Sequence, residues 1–491
     1  MLFTSQIFVV CFLPAVLILY YTVFKWSRLL QNIFLLLASL VFYGWGEPWF
    51  ILVLLVSIAV NWLFGVLAAV SRGHKIAGRA VLALMLTFNL TLMFIFKYLM
   101  FTLENINSFF GTDYYAGEIV LPIGISFFTF QAISYVVDVY RNNGQLQKNP
   151  FYAGLYIAFF PQLVAGPIIR YESISGQIRF RKESLSGFSK GVTRFLMGFA
   201  KKILLANNLS LVADQAFSLN DSGGLSVLMA WLGALSYTMQ IYFDFSGYSD
   251  MAIGLGRMFG FRFPENFNYP YIAKSTSEFW RRWHISLGAW FRDYLYFPLG
   301  GSRVRSKLRL VFNLFVVWLL TGLWHGANWT FICWGLMYFL SISLEKLSGF
   351  AKWGASRELI WRRFFDFLRH CYTMLVVMFG WVLFRAESFE GASSYIRVMT
   401  GRSDRPFADN YGIGNLQEYA WFFMFGILFS TPVAPWLWEK IRIALVRRGK
   451  TMRFPEFMLA LLYAAALIII FIASFSYLVK GSYNPFIYYN F

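Results

Sequence analysis

A chain of 491 residues that is 58% hydrophobic and only 14% charged is too apolar for a soluble globular domain, where about 45–50% apolar and about 25% charged residues are usual. Aromatics reach 21%, with 18 Trp and 28 Tyr, and these rings collect where a membrane meets water. The net charge of +19 raises nucleic acid as a partner, but the basic residues are not gathered on one module, and their placement excludes it.

Stretches long enough to cross the ~30 Å hydrocarbon layer recur near 6–24, 29–45, 49–70, 80–100 and 119–140. The first runs from Gln6 to Phe24 into Lys25 with no small-residue cleavage site, which reads as a retained helix and a mature chain starting near residue 1. The connections alternate in charge: Lys25 and Arg28, then Glu47, then Arg72, Lys75 and Arg79, then Glu104, Asp113 and Glu118, then Arg141 and Lys148. The C-terminal third continues the alternation to a last helix near 457–479. Connections 25–31, 71–79, 141–148, 170–202, 257–309, 345–369 and 439–453, all assigned to the cytoplasm, hold 37 of the 43 Lys and Arg. The positive-inside bias accounts for the charge, and it places both termini outside.

Two apolar stretches break the alternation. Residues 151–169 have basic segments on both sides and contain Pro161, Gln162, Gly166 and Pro167, so they predict a re-entrant helix in which 160–170 lines a cavity; a surface amphipathic helix is the alternative. Residues 310–344 carry no Asp, Glu, Lys or Arg and are basic on both flanks, so they predict a hairpin broken at Gly322 to Asn328. No repeat or linker divides the chain. It reads as one all-α membrane domain of ten to twelve crossings plus re-entrant helices: N-terminal helices over 1–150, a core over 151–347, and C-terminal helices with an outside tail over 348–491. Cys11, Cys333 and Cys371 are scattered, with neither a disulfide nor a zinc spacing.

His325 lies in the uncharged hairpin. An ionisable residue within a membrane is costly and is a functional candidate by default, and a neutral imidazole can act as a general base. Gly326 would admit a substrate close to the backbone; Asn328 and the indole of Trp324 or Trp329 could donate to an oxyanion. A histidine satisfied by a neighbouring carbonyl is the plainer reading. His284 lies in a segment where Trp280, Trp283, Leu287, Trp290 and Phe291 recur at helical spacing among Arg281, Arg282 and Arg292, predicting a basic amphipathic helix at the interface. Its arginines either receive phosphates of a cytosolic donor or anchor anionic lipid, and Asp293 pairs locally with Arg292. Gln240, Asp244, Ser246 and Asp250 either bind a cation or hold an arginine from the following segment, the second being preferred. His74 and His370 sit among basic residues and need no special role.

Together, Trp324-His325-Gly326, Arg281 to Leu287, Asp293 to Tyr296, Phe160 to Pro167, Tyr242 to Tyr248 and Gly481 to Tyr489 resemble the membrane-bound O-acyltransferases of the alginate O-acetylation type. The resemblance implies helices around a central tunnel and transfer of an acetyl group from a cytoplasmic thioester, acetyl-CoA or a carrier protein, with no bound cofactor or metal. It maps the essential histidine onto His325 and a second, less uniformly required one onto His284. It also implies a bacterial inner-membrane location, an exported polysaccharide of the alginate, cellulose or peptidoglycan kind, and a periplasmic or extracellular acetyltransferase partner, for which the tail Phe486 to Phe491 is a candidate contact. The alternative is a transporter or lipid-linked-sugar flippase coupled through Asp244 or Asp250.

Overall fold

The computed structural model describes residues 1–350, 353, 359–448 and 453–481, so the tail Phe486 to Phe491 lies outside the described residues. Every regular element among them is a helix. In a bilayer, a segment that satisfies its own backbone is one of the two forms that can cross.

Seven described helices are long and apolar enough to span: Ile51–Gly73, Lys75–Phe110, Leu185–Asp221, Lys307–His325, Trp329–Ser348, Leu359–Arg385 and Phe457–Val479. The pair Ala420–Phe429 and Val433–Ile441, bent by 69°, makes up to eight, and Phe8–Thr22 and Arg28–Gly44 are shorter apolar helices. The chain is an all-helical, multi-pass membrane protein. Lys75–Phe110 runs unbroken for 36 residues, about 54 Å at ~1.5 Å per residue, so it outruns the stretch 80–100 at both ends.

The chain packs into two compact units. The first holds Met1–Phe195 and Tyr248–Glu265. Phe3, Phe8, Phe42 and Phe160 pack with ring centroids 5.0 to 6.5 Å apart, and Phe3 stacks on Tyr248 at 4.5 Å. Residues 151–169 enter as the helix Pro150–Ala158, break at Phe159 and continue as Phe160–Leu163. Nine helical residues are too few to cross, and most of the segment is buried, which excludes the surface helix. Asp250 belongs here too: Arg194 reaches it at 2.7 Å and Glu265 at 2.5 Å. The arginine comes from the preceding helix and not, as expected, from the segment that follows.

The second unit holds Leu196–Gly247 and the chain from Asn266 onward. Its centre is the pair Lys307–His325 and Trp329–Ser348, which pack along their lengths. Two glycines permit the approach. A Cβ on Gly322 would lie 2.5 Å from the Phe331 carbonyl oxygen, and one on Gly335 would lie 2.5 Å from that of Trp318. The uncharged stretch is therefore two full-length helices joined by a tight break, rather than a shallow re-entrant loop. Nineteen residues reach about 28 Å, which puts His325 at the far end of its helix from Lys307.

Candidate active site

Both candidate histidines fall in the second unit. His325 is the last residue of Lys307–His325, and the backbone turns extended at Gly326. Its ring sits between those of Trp324 at 4.9 Å, Trp334 at 4.9 Å and Phe384 at 5.2 Å, all edge-on. The side chain is 6% exposed. Packing on three sides fixes the imidazole.

His284 is held differently. The predicted continuous helix is in fact two short helices, Thr276–Arg282 and Ile285–Phe291, followed by a π-helical turn at Arg292–Tyr296. Trp283, Leu287, Trp290 and Phe291 are buried in protein, so this is not an amphipathic helix lying on lipid. The break falls on His284, whose φ is +44°, a left-handed conformation uncommon for a residue with a Cβ. There the ring turns inward to 1% exposure, edge-on to Phe245 at 4.6 Å and 6.1 Å from Trp324. Its Nδ1 lies 3.1 Å from Asn266 Oδ1. Burial pushes its pKa down, to about 3, which favours the neutral ring. Trp324 thus contacts both imidazoles, and the structure brings all three residues together.

A cavity of about 270 Å³ opens beside His284, lined among others by Trp280, Arg281, His284, Arg292, Trp318 and Lys346; Trp324 and His325 stand behind His284 and do not line it. Arg281, Arg292 and Lys346 are exposed, whereas His284 is buried. The cavity therefore leads from a cationic mouth to an imidazole. Arg292 also pairs with Asp293 at 2.9 Å, as expected from the sequence. Trp280, named in the sequence pattern, meets Trp318 at 4.9 Å between centroids; Trp318 and Lys346 escaped the sequence reading because they lie on two other elements.

Several candidates are placed elsewhere. Arg282 does not line the cavity; it pairs with Glu278 at 2.9 Å and donates to the Asn268 carbonyl at 3.1 Å. Asn328 caps the returning helix, accepting from the Thr330 N–H at 3.0 Å, and its Nδ2 donates to the Glu387 carbonyl at 2.9 Å. Its amide is thus committed to the turn rather than to an oxyanion. Trp329 is 56% exposed. The space beside Gly326 is filled by the Phe331 ring, 2.3 Å from where a Cβ would stand, so the glycine admits Phe331 and not a substrate. Asp244 is buried against Lys202 at 2.7 Å; a lysine of the preceding helix, not an arginine, neutralises it. Gln240, one turn earlier on the same helix, is also buried, and neither lines the cavity.

The model of the membrane-bound O-acyltransferase family matches residues 40–367, a span that contains His284, Trp324 and His325. The chain is 43% identical over 397 residues to the "Probable alginate O-acetylase AlgI" of Pseudomonas aeruginosa, covering 80% of this chain and 73% of that one. It is 35% identical over 434 residues to the peptidoglycan O-acetyltransferase of Helicobacter pylori, covering 82% and 80%. To the teichoic acid D-alanyltransferase of Bacillus subtilis it is 30% identical over 289 residues, covering 54% and 69%.

Proposed function

The chain belongs to the membrane-bound O-acyltransferase family and is a membrane O-acyltransferase, and from that premise we propose that it moves an acetyl group from a cytoplasmic thioester, acetyl-CoA, toward an exported polysaccharide, with His325 as general base. The observation that carries this reading is the cavity lined by three exposed cations and by His284, whose ring lies 6.1 Å from that of Trp324, which in turn packs on His325 at 4.9 Å. Cations at the mouth suit the phosphates of a coenzyme A thioester, and Arg281 and Arg292 are the candidates for that contact. His325 takes the proton of the acceptor hydroxyl as its oxygen attacks the thioester carbonyl. The tetrahedral centre collapses, the C–S bond breaks, and the thiolate leaves with the proton held by the imidazolium. Trp324, whose indole lies against both histidines, stabilises the developing oxyanion in this reading.

Relatives named for alginate and for peptidoglycan O-acetylation support a polysaccharide or cell-wall acceptor and a partner that completes delivery outside the membrane. Their bacterial origin supports the inner membrane, with the termini outside. Ion coupling through Asp244 or Asp250 is not favoured, since each carboxylate is neutralised by a cation and the relatives are named as acyl-transferring enzymes.

The test is acetyl transfer from acetyl-CoA in membranes carrying single variants. His325→Ala is expected to abolish turnover at an unchanged amount of inserted protein, a loss of about 10² to 10⁴-fold for a general base. His284→Ala is expected to cost less. Full activity in His325→Ala would remove the mechanism, and equal, complete losses would reverse the ranking.

A further inference from the structure

Asn266 stands eighteen residues before His284 in the sequence and is 1% exposed. Its backbone carbonyl accepts from the Ile285 N–H at 2.9 Å. Its side-chain Oδ1 is met by the Ser286 N–H at 3.2 Å, the Ser286 hydroxyl at 2.8 Å and His284 Nδ1 at 3.1 Å. A backbone N–H can only donate, so the atom facing it is the amide oxygen and not the amide nitrogen. The Ser286 hydroxyl also lies 3.5 Å from Nδ1 but gives its hydrogen to Oδ1 at the shorter 2.8 Å; an amide oxygen has no hydrogen to give, so the proton between it and His284 is on Nδ1. The imidazole then carries its lone pair on Nε2, a buried atom with no hydrogen-bond partner among the described residues. Phe245 and Trp324 bracket the ring and oppose a flip that would exchange the two nitrogens.

We propose that Asn266 is a positioning residue of the reaction: it locks His284 in the Nδ1–H tautomer, so that Nε2 is presented to the cavity as a hydrogen-bond acceptor and never as a donor. Asn266 also holds the left-handed turn at His284 through its own carbonyl, so one residue sets the ring's orientation and its tautomer together. The proposal rests on the reading that His284 serves acyl transfer, and it adds what His284 does there. Nε2 takes a hydrogen bond from an N–H or O–H group of the bound thioester or of the acceptor. A group that needs a donor in the cavity finds one elsewhere, on Arg281, Arg292 or Lys346.

The experiment measures thiol release from acetyl-CoA by the full chain in inverted membrane vesicles, for His284→Ala, Asn266→Ala, Asn266→Asp and the double variant Asn266→Ala/His284→Ala. Asn266→Ala is expected to lower kcat about tenfold or more while KM for acetyl-CoA moves little, because a hydrogen bond made to the reacting groups depends on a correctly placed lone pair. The double variant is expected to be no slower than His284→Ala alone, because Asn266 acts through His284. Asn266→Asp keeps the acceptor oxygen and sets a carboxylate on Nδ1; it is expected to recover part of the rate and to add an acidic limb to the pH profile, about one pH unit or more above any shown by the natural chain.

Full activity in Asn266→Ala beside an impaired His284→Ala would overturn the proposal, as would losses that multiply in the double variant. Should Asn266→Ala fail to accumulate, an Asn266→Asp profile that matches the natural chain overturns it as well. Full activity in His284→Ala would instead overturn the role given to His284, and this proposal with it.

Discussion

At Gly326 a single hydrogen atom in place of a side chain decides whether His325 can occupy its position. The Phe331 ring fills the space where a Cβ would stand, 2.3 Å from it, and Phe331 in turn packs edge-on against Phe384 at 5.0 Å, one of the three rings around the imidazole. Gly326 has an extended backbone with φ of −172°, so alanine there is opposed by volume alone. Gly326→Ala is expected to cost about 1–3 kcal/mol, the usual range for overpacking, and to lower acetyl transfer by displacing Phe331 and with it Phe384. Gly326→Ala combined with Phe331→Leu frees the space and is expected to regain thermal stability in detergent. If the single variant unfolds at the same temperature as the natural chain, the glycine is not there for packing.

The segment that carries His284 shows what a sequence can and cannot convey at the scale of one element. The uncharged run before Lys346, with Gly322, Gly326 and Asn328 close together, predicts the hairpin and its break to within a few residues, because membrane exclusion of charge and helix termination are both local rules. Tryptophans at helical spacing over 280–291 predict one helix by the same kind of rule, and that prediction fails. The break is imposed from outside the segment. Glu345, 7% exposed, accepts from the Thr276 N–H at 2.5 Å, the Ser277 N–H at 2.9 Å and the Ser277 hydroxyl at 2.8 Å, so a carboxylate of the returning helix caps the first short helix. Asn266 then fixes the start of the second. Neither partner lies near enough in the chain for a periodicity to reveal it. The Glu345 carboxylate satisfies two N–H groups at a helix start, where negative charge is favoured. Glu345→Ala is therefore expected to cost about 1–3 kcal/mol, the penalty for stranding buried donors, and to lower turnover, since Trp280, Arg281 and His284 all follow on from that cap. Glu345→Gln keeps an acceptor oxygen and is expected to lose less of both. Equal thermal midpoints and equal rates for Glu345→Ala and the natural chain would show the cap to be idle.

For the whole molecule, the charge pattern settles that the chain is a membrane protein, but it leaves the depth of its central hairpin open, and the reaction depends on that depth. A cytosolic donor and an exported acceptor can meet at His325 only if the hairpin crosses from one face to the other. Lys307–His325 is long enough to do so, about 28 Å, and at its far end Asn328 bonds the carbonyl of Glu387, just past the end of Leu359–Arg385, another helix of spanning length. Two helix ends from separate parts of the second unit therefore meet at one level, as the ends of two full crossings would. Arg303, exposed before the start of the hairpin, and Glu387, exposed at the other level, make the question measurable. In a chain with Cys11, Cys333 and Cys371 replaced by alanine, Glu387→Cys is expected to react with an impermeant maleimide added to spheroplasts, and Arg303→Cys only in inverted vesicles. Labelling of both from the cytoplasmic face would make the hairpin re-entrant and close His325 to an acceptor outside, so the transfer would have to end on a cytoplasmic or membrane-held carrier. Labelling in the reverse sense would turn the cavity's three cations outward, away from any cytosolic thioester.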